Sequence, residues 1–258
     1  MALSSTPQGR GWDAVAAGAA VGRGWACFRG RTGDNDAHAH HAIQLAIGLS
    51  APVAAEVNGR PWRASGLIID TGVRHKLLPS TGETQLIYLD PEHALGPALR
   101  AALTGPVTSL SEPVARRVAC AAGGRGENLI ERLSIALALQ QMPSGHPDGR
   151  IAAVLQWIDD NPGLPLPAAE AARRSRLSPA QFSRRFRRQV GLPLRPYLRW
   201  RRLLLAIRAV ASGTNLTRAA ADAGFSDSAH LSRTVRRHFG IPARTLLALG
   251  LNSSSPED

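Results

Sequence analysis

A twelve-residue phrase occurs twice in this chain of 258 residues, 49 positions apart. It reads FSRRFRRQVGLP at Phe182–Pro193 and LSRTVRRHFGIP at Leu231–Pro242. Six of the twelve positions are identical, and four exchange one apolar residue for another: Phe182 for Leu231, Phe186 for Val235, Val190 for Phe239 and Leu192 for Ile241. Apolar residues at i, i+4 and i+8 share one face of a helix. Each copy is therefore predicted to bury that face and to turn its Ser-Arg and Arg-Arg pairs outward. Gly191 and Gly240 stop the two helices, and Pro193 and Pro242 suit the first turn of a following helix. A helix repeated with a basic outer face implies a pair of DNA-reading helices.

The formal charge of +12 is unevenly spread. Residues 150–258 carry 18 Arg against 7 acids, a net of +11, whereas residues 1–149 carry 13 basic groups against 12 acids, a net of +1. Lys76 is the one lysine, so codon bias accounts for part of the arginine excess, but such a bias would act on both halves alike. A basic domain joined to a near-neutral one is the electrostatic footprint of a nucleic-acid binder with a second function attached. Cys27 and Cys120 stand alone, without a C-x-x-C pair, which argues against a zinc finger or a disulfide framework and fits a reducing cytosol. The small-residue run Ala14–Val21 is too short and too weakly apolar for a signal or spanning helix. These features predict a soluble cytoplasmic protein without membrane association.

An α+β chain in two parts is predicted. Up to about Glu112, short apolar runs alternate with turn residues. Ile43–Leu49, Ala54–Val57, Gly66–Ile69, His75–Leu78 and Thr84–Leu89 read as strands, bounded by Asn58-Gly59, Pro79 and Gly82. That spacing suggests a sandwich or barrel. Pro113–Ala122 and Asn128–Gln141 read as helices, the second offering its Leu/Ile face either to its own barrel or to a second copy in a homodimer. The predicted parts are 1–142, a linker at 143–150 rich in Pro and Gly, and an all-α part at 151–258. In the last part, helices are expected at Ile151–Asp160, from Pro167 through Arg174, from Pro179 behind a Ser178 cap, at Leu194–Ala211, at Leu216–Ala223, after an Asp227 cap, and at about Ala243–Leu249. These make about seven helices, with two helix-turn-helix units around a central helix.

In such a unit the first helix and the apolar face of the second lock together, leaving the second free to enter the major groove. The outward residues near the N-termini of the repeated helices are then the base-reading candidates: Ala180, Ser183 and Arg184 in the first, and Ser228, Ala229, His230, Ser232 and Arg233 in the second. Arg contributes a bidentate contact to guanine worth roughly 1–3 kcal/mol of discrimination. Arg187, Arg188, Arg236 and Arg237 lie farther along, where phosphates are the expected partners. The helix between the copies should be ~27 Å long at ~1.5 Å per residue. That is comparable with the ~34 Å between successive major-groove faces, so one polypeptide is expected to read two adjacent, unequal half-sites.

Residues Trp157–Leu249 resemble the whole DNA-binding domain of the AraC/XylS-type transcriptional regulators. The most diagnostic segments are Leu177-Ser178-Pro179, Phe182-Ser183-Arg184-Arg185-Phe186, Val190-Gly191, Tyr197-Leu198 and Ala223-Gly224-Phe225-Ser226-Asp227. Arg176 departs from the pattern at a turn position usually held by Gly, Val235 stands for a usual Phe, and Leu246-Leu247 stand where a Tyr is expected. The region of about 25–90 resembles the cupin-like sensor that commonly precedes this domain. There His38, His40, Gln44 and His75 resemble the ligand pattern of a metal-binding cupin barrel, and three imidazoles would suit Zn, Fe, Ni or Cu. Three readings of these residues stand open: metal ligation by His38, His40 and His75, polar lining of an effector pocket, or loop positions without a special role. Trp25, Trp62 and Tyr88 are candidates for pocket lining or core, with Trp62 reading better as core.

The resemblance implies a cytosolic, non-enzymatic transcription factor that binds a double-stranded operator or promoter, responds to a small effector and works with RNA polymerase. It requires no cofactor for DNA binding. The alternatives are a metal-dependent cupin enzyme fused to a DNA-binding domain and an effector-independent DNA-binding protein. A DNA-alkylation repair protein would need a reactive Cys in a characteristic motif, and neither Cys27 nor Cys120 sits in one.

Overall fold

Strands form here where β-branched and aromatic residues collect between turns, and the tightest of those turns is Asn58-Gly59. Both residues have positive φ, at 49° and 77°. That pair of values makes the two-residue hairpin turn whose twist matches the strands it joins. The computed structural model describes residues 19–22, 24–33, 35–92, 95–123, 128–139 and 148–243. The expected helix beyond Ala243 and the expected linker residues 143–147 lie outside the described residues.

Nine strands are present among the described residues: β1 (Ala19–Gly22), β2 (Trp25–Arg31), β3 (Ile43–Gly48), β4 (Val53–Val57), β5 (Arg60–Ala64), β6 (Gly66–Ile69), β7 (His75–Leu77), β8 (Glu83–Leu89) and β9 (Val107–Leu110). They form two antiparallel sheets, a six-stranded one in the order β1-β2-β8-β3-β6-β9 and a three-stranded one in the order β5-β4-β7. All five expected strands are found, to within a residue or so at each end; β1, β2, β5 and β9 were not foreseen. Side chains alternate across β3 and β8 as the pleat requires. Ile43, Leu45, Ile47, Ile87 and Leu89 face one core, while Ala46, Leu86 and Tyr88 face another.

The first of these cores is closed by helices α1 (Gly96–Ala101), α2 (Glu112–Gly123) and α3 (Leu129–Ala136). Helix α3 is shorter than the expected Asn128–Gln141 span. The helical half holds α4 (Gly149–Asp160), α5 (Ala168–Arg174), α6 (Pro179–Val190), α7 (Leu194–Ala211), α8 (Leu216–Asp222) and α9 (Ser228–Phe239). Helix α4 already begins inside the stretch expected as linker, because Asp148 accepts a hydrogen bond from Arg150 N and caps it.

The second core does not stop at the sheets. Ala46, Val53, Ala55, Val57, Leu67, Ile69, Leu86 and Tyr88 form one continuous buried cluster with Trp200, Leu203, Ile207, Leu231, Val235, Phe239 and Ile241. Apolar area removed from water stabilises wherever it lies. The space between the sheets is therefore filled from the side of α7 and α9. Trp62 is half-buried against this cluster, and Trp25 is half-buried against the other.

Candidate functional site

Helix α6 owes its start to Ser178. The Ser178 hydroxyl accepts from Gln181 N while the Gln181 side chain accepts from Ser178 N. Two backbone donors that would otherwise be orphaned are satisfied. Phe182, Phe186 and Val190 are buried as the repeat requires. On the opposite face Ala180, Ser183, Arg184, Arg187 and Arg188 are all exposed and together line one shallow, open concavity. All five candidate residues of the first copy are thus brought onto one basic surface.

Helix α9 is built the same way, with the Asp227 carboxylate accepting from His230 N at 2.6 Å and Leu231, Val235 and Phe239 buried. Ala229, Arg233, Arg236 and Arg237 are exposed, while Ser228, His230 and Ser232 are half-buried. Ser232 Oγ donates to Ser228 O at 2.8 Å, and His230 Nδ1 lies 3.1 Å from Ser226 Oγ. Arg236 is engaged elsewhere: its Nε donates to Asp36 Oδ2 at 2.6 Å, on the sheet half of the molecule.

That contact belongs to a seam which ends at the histidines. Asp36 N–H donates to Gly240 O at 3.0 Å. Gly240 is the left-handed residue that ends α9, at φ 68°. A Cβ there would lie 2.3 Å from Asp36 O and 2.7 Å from His38 Nδ1, so glycine serves both the turn and the approach. His38 pairs with His75 backbone to backbone in both directions, at 2.9 Å each way.

The His38, His40 and His75 side chains are all buried, and one ring nitrogen of each lies within 4.8 Å of those of the other two. Each Nδ1 faces a backbone carbonyl: His38 to Asp36 O at 2.8 Å, His40 to Ala42 O at 2.9 Å and His75 to Val73 O at 2.9 Å. A carbonyl oxygen only accepts, so each Nδ1 carries the proton and each Nε2 keeps a lone pair. Gln44 Oε1 stands 2.8 Å from Nε2 of both His40 and His75. Four electron pairs therefore converge on one space. Turning the Gln44 amide would let its NH2 donate to His40 and His75. It would also place the amide oxygen where no partner exists and leave His38 Nε2 unpartnered. Each such orphan costs about 1–3 kcal/mol. A cation satisfies all four, so the residues present fit a metal ion.

Burial, and after it the neighbouring imidazoles, pushes the pKa values of His38, His40 and His75 down to about 3, which keeps the rings neutral. Aromatic rings close the space. Tyr88, Phe239 and Trp200 stand 5.2, 6.2 and 6.4 Å from the His40 ring, centroid to centroid. Of the three aromatic residues expected to line a pocket or the core, Tyr88 alone stands at the histidines.

A second group of polar residues at the seam was not foreseen. Trp200 Nε1 donates to buried Asp90 Oδ1 at 2.8 Å, and Arg201 reaches Asp90 Oδ2 at 3.5 Å while also pairing with Asp159. His41 Nε2 lies 2.9 Å from Glu92 Oε2 beside them. Burial, with Glu92 adding to it, holds the Asp90 carboxyl above the usual carboxylate range. No local pattern announces a partner 110 residues away.

A family model described as a helix-turn-helix domain matches residues 171–248. The multiple antibiotic resistance protein MarA of Escherichia coli, like that of Salmonella typhimurium, is 30% identical over 93 residues, which are 36% of this chain and 73% of MarA. The crystal structure of an apo variant of ToxT from Vibrio cholerae matches with a TM-score of 0.62 at 7% identity, over 88% of this chain and 98% of ToxT. ToxT with an unsaturated fatty acid bound matches with a TM-score of 0.57 at 8% identity, over 87% of this chain and 95% of ToxT. At such identities the likeness to ToxT concerns the fold, and it extends over both halves of the chain.

Proposed function

The chain belongs to the AraC/XylS family of DNA-binding transcriptional regulators, and from that premise we propose that one protomer reads two successive major-groove segments under the control of an effector sensed by its N-terminal half. The helix pairs α5–α6 and α8–α9 are the two helix-turn-helix units, with α6 and α9 as recognition helices. The observation that carries this reading is the repeated arrangement itself: a capped helix with its apolar face buried and exposed arginines on the opposite face, present in both units. Helix α7, 18 residues long, separates them by ~27 Å, close to one groove repeat.

Ala180, Ser183 and Arg184 on α6, with Ser228, Ala229, His230, Ser232 and Arg233 on α9, read bases. Arg187, Arg188, Arg236 and Arg237 hold phosphates. The sensing part is 1–142, a cupin-like pair of sheets followed by helices, and the DNA-binding part is 151–258, with 143–150 between them. Effector control is supported by the sheet-side core that α7 and α9 complete, and by the ToxT fold, one of whose structures holds a fatty acid. Ile135 on α3, 71% exposed, is the apolar side chain available to a second copy, and RNA polymerase is the expected partner at the promoter. The proposed role is regulatory rather than catalytic, in keeping with the transcriptional regulators that the chain resembles. No helix among the described residues is long and apolar enough to cross a membrane.

Selection from a random duplex pool, followed by footprinting, tests the reading. Two protected segments about one helical turn apart are expected. Arg184→Ala and Arg233→Ala should each cost about 1–3 kcal/mol at the selected site and relax preference in one segment only. Unchanged affinity and preference in both variants would overturn it.

A further inference from the structure

An effector bound at the histidines has to fit a closed space. Each of His38, His40 and His75 is at most 5% exposed, and aromatic rings from both halves stand around His40. A drug-sized organic ligand needs roughly 300–1,000 Å3, which here requires α7 and α9 to lift away. A single ion needs only the gap between the donors. Three Nε2 lone pairs and the Gln44 carbonyl oxygen already surround that gap, and His38 Nε2 has no other partner.

The roof of this gap is the end of α9. The segment that carries His38 also carries Asp36, and Asp36 holds both Gly240 O and Arg236. His238 on α9 is close enough to bear electrostatically on His38 and His40.

We propose that the effector is a divalent transition-metal ion bound by Nε2 of His38, His40 and His75 with Gln44 Oε1, and that its binding holds α9 on the sensor half, where it already lies, and weakens DNA engagement. The proposal rests on the reading of the chain as an effector-controlled regulator. The donor set of three imidazoles and a neutral amide oxygen suits zinc, copper, nickel or ferrous iron rather than magnesium or calcium. Bonds of ~2.0–2.1 Å in a tetrahedral site bring donors to about 3.4 Å from one another. The ring nitrogens, within 4.8 Å of one another, and the Gln44 oxygen, 2.8 Å from two of them, both shift to reach that spacing. The His38 segment moves with its ring, and Gly240, with no side chain to act as a buffer, passes the movement to α9. Arg236 is held on Asp36 and away from phosphate. By linkage, metal and DNA must change each other's affinity by the same factor.

The test uses the full chain stripped with a chelator and titrated with Zn2+, and with Co2+ for its visible spectrum. Roughly one equivalent per chain is expected, with His40→Ala and His75→Ala each lowering affinity by about a hundredfold or more. Below about a tenth of an equivalent in the unsubstituted chain, the site is overturned without recourse to any variant. Equal metal affinity in folded His40→Ala and His75→Ala protein overturns it as well. A duplex selected by the stripped chain then reports coupling. Zn2+ should lower its affinity by about fivefold or more, with the reciprocal loss in metal affinity when DNA is bound. Asp36→Ala, which removes no donor, should retain the metal stoichiometry and lose most of that effect. Metal binding with DNA affinity unchanged or raised overturns the coupling, and full coupling in Asp36→Ala overturns its route. Failure of the stripped chain to select any sequence sinks the regulator reading instead, and the metal titration still decides the site.

Discussion

The three buried imidazoles have an ordinary pKa of 6.5 and a folded value of about 3. Below pH 6.5 the unfolded chain takes up protons that the folded chain refuses, so their stabilising contribution is complete above that pH and is lost as the pH falls through about 3. Asp90, held above its ordinary value, works in the opposite sense, protonating first in the folded chain. His238, also held below its ordinary value by burial, acts with the three, so chelated protein should lose at least on the order of 2–3 kcal/mol per pH unit between about pH 6 and 4. Urea unfolding at pH 7 and pH 5 measures this, and equal stabilities would contradict a neutral, buried cluster. Arg176 poses a different problem of fit: it ends α5 at φ 51°, in the left-handed region where a Cβ is strained. Arg176→Gly should therefore raise stability by about 0.5–1 kcal/mol, visible as a higher melting temperature. A lower melting temperature would mean that the side chain contributes more than the strain costs.

At the scale of elements, legibility followed periodicity. Helices α6 and α9 could be read because the 3.6-residue period, the caps and the terminal glycines all agree in each, and α7 was read to the residue. Ser178→Ala and Asp227→Ala should each cost about 1 kcal/mol, and thermal unfolding of the two variants would register it. Losses within error would show that the helices are held by packing alone. Strands β5 and β9 escaped notice because edge strands carry weaker patterns. Strand β5 even contains Pro61, which an edge tolerates. Strand β2 was missed because its Arg and Gly residues interrupt the apolar run. The four polar candidates of the sheet half were legible as residue types at a suggestive spacing. Their tautomers were not, because these depend on carbonyls placed by the folded loops.

The whole molecule is decided at the seam between its halves. Trp200→Phe keeps the aromatic bulk but removes the N–H that Asp90 Oδ1 accepts, leaving a buried carboxylate short of a donor. A loss of about 1–3 kcal/mol is expected, with Asp90→Asn milder because its amide oxygen still accepts. Indistinguishable unfolding midpoints for Trp200→Phe and the unsubstituted chain would mean that the seam is held by its apolar contacts alone. The amino-acid order contained the two repeated helices, the basic half and the histidines, since helix period, charge and residue chemistry are local properties that survive without knowledge of the fold. It held no sign that α9 would close over the sheet half, that Arg236 would meet Asp36 200 positions away, or that Gly240 would leave room for His38. Contacts at such separation depend on how two cores merge, and burial of apolar surface is non-directional. Which faces meet is a property of the assembled shape, not of any stretch of chain.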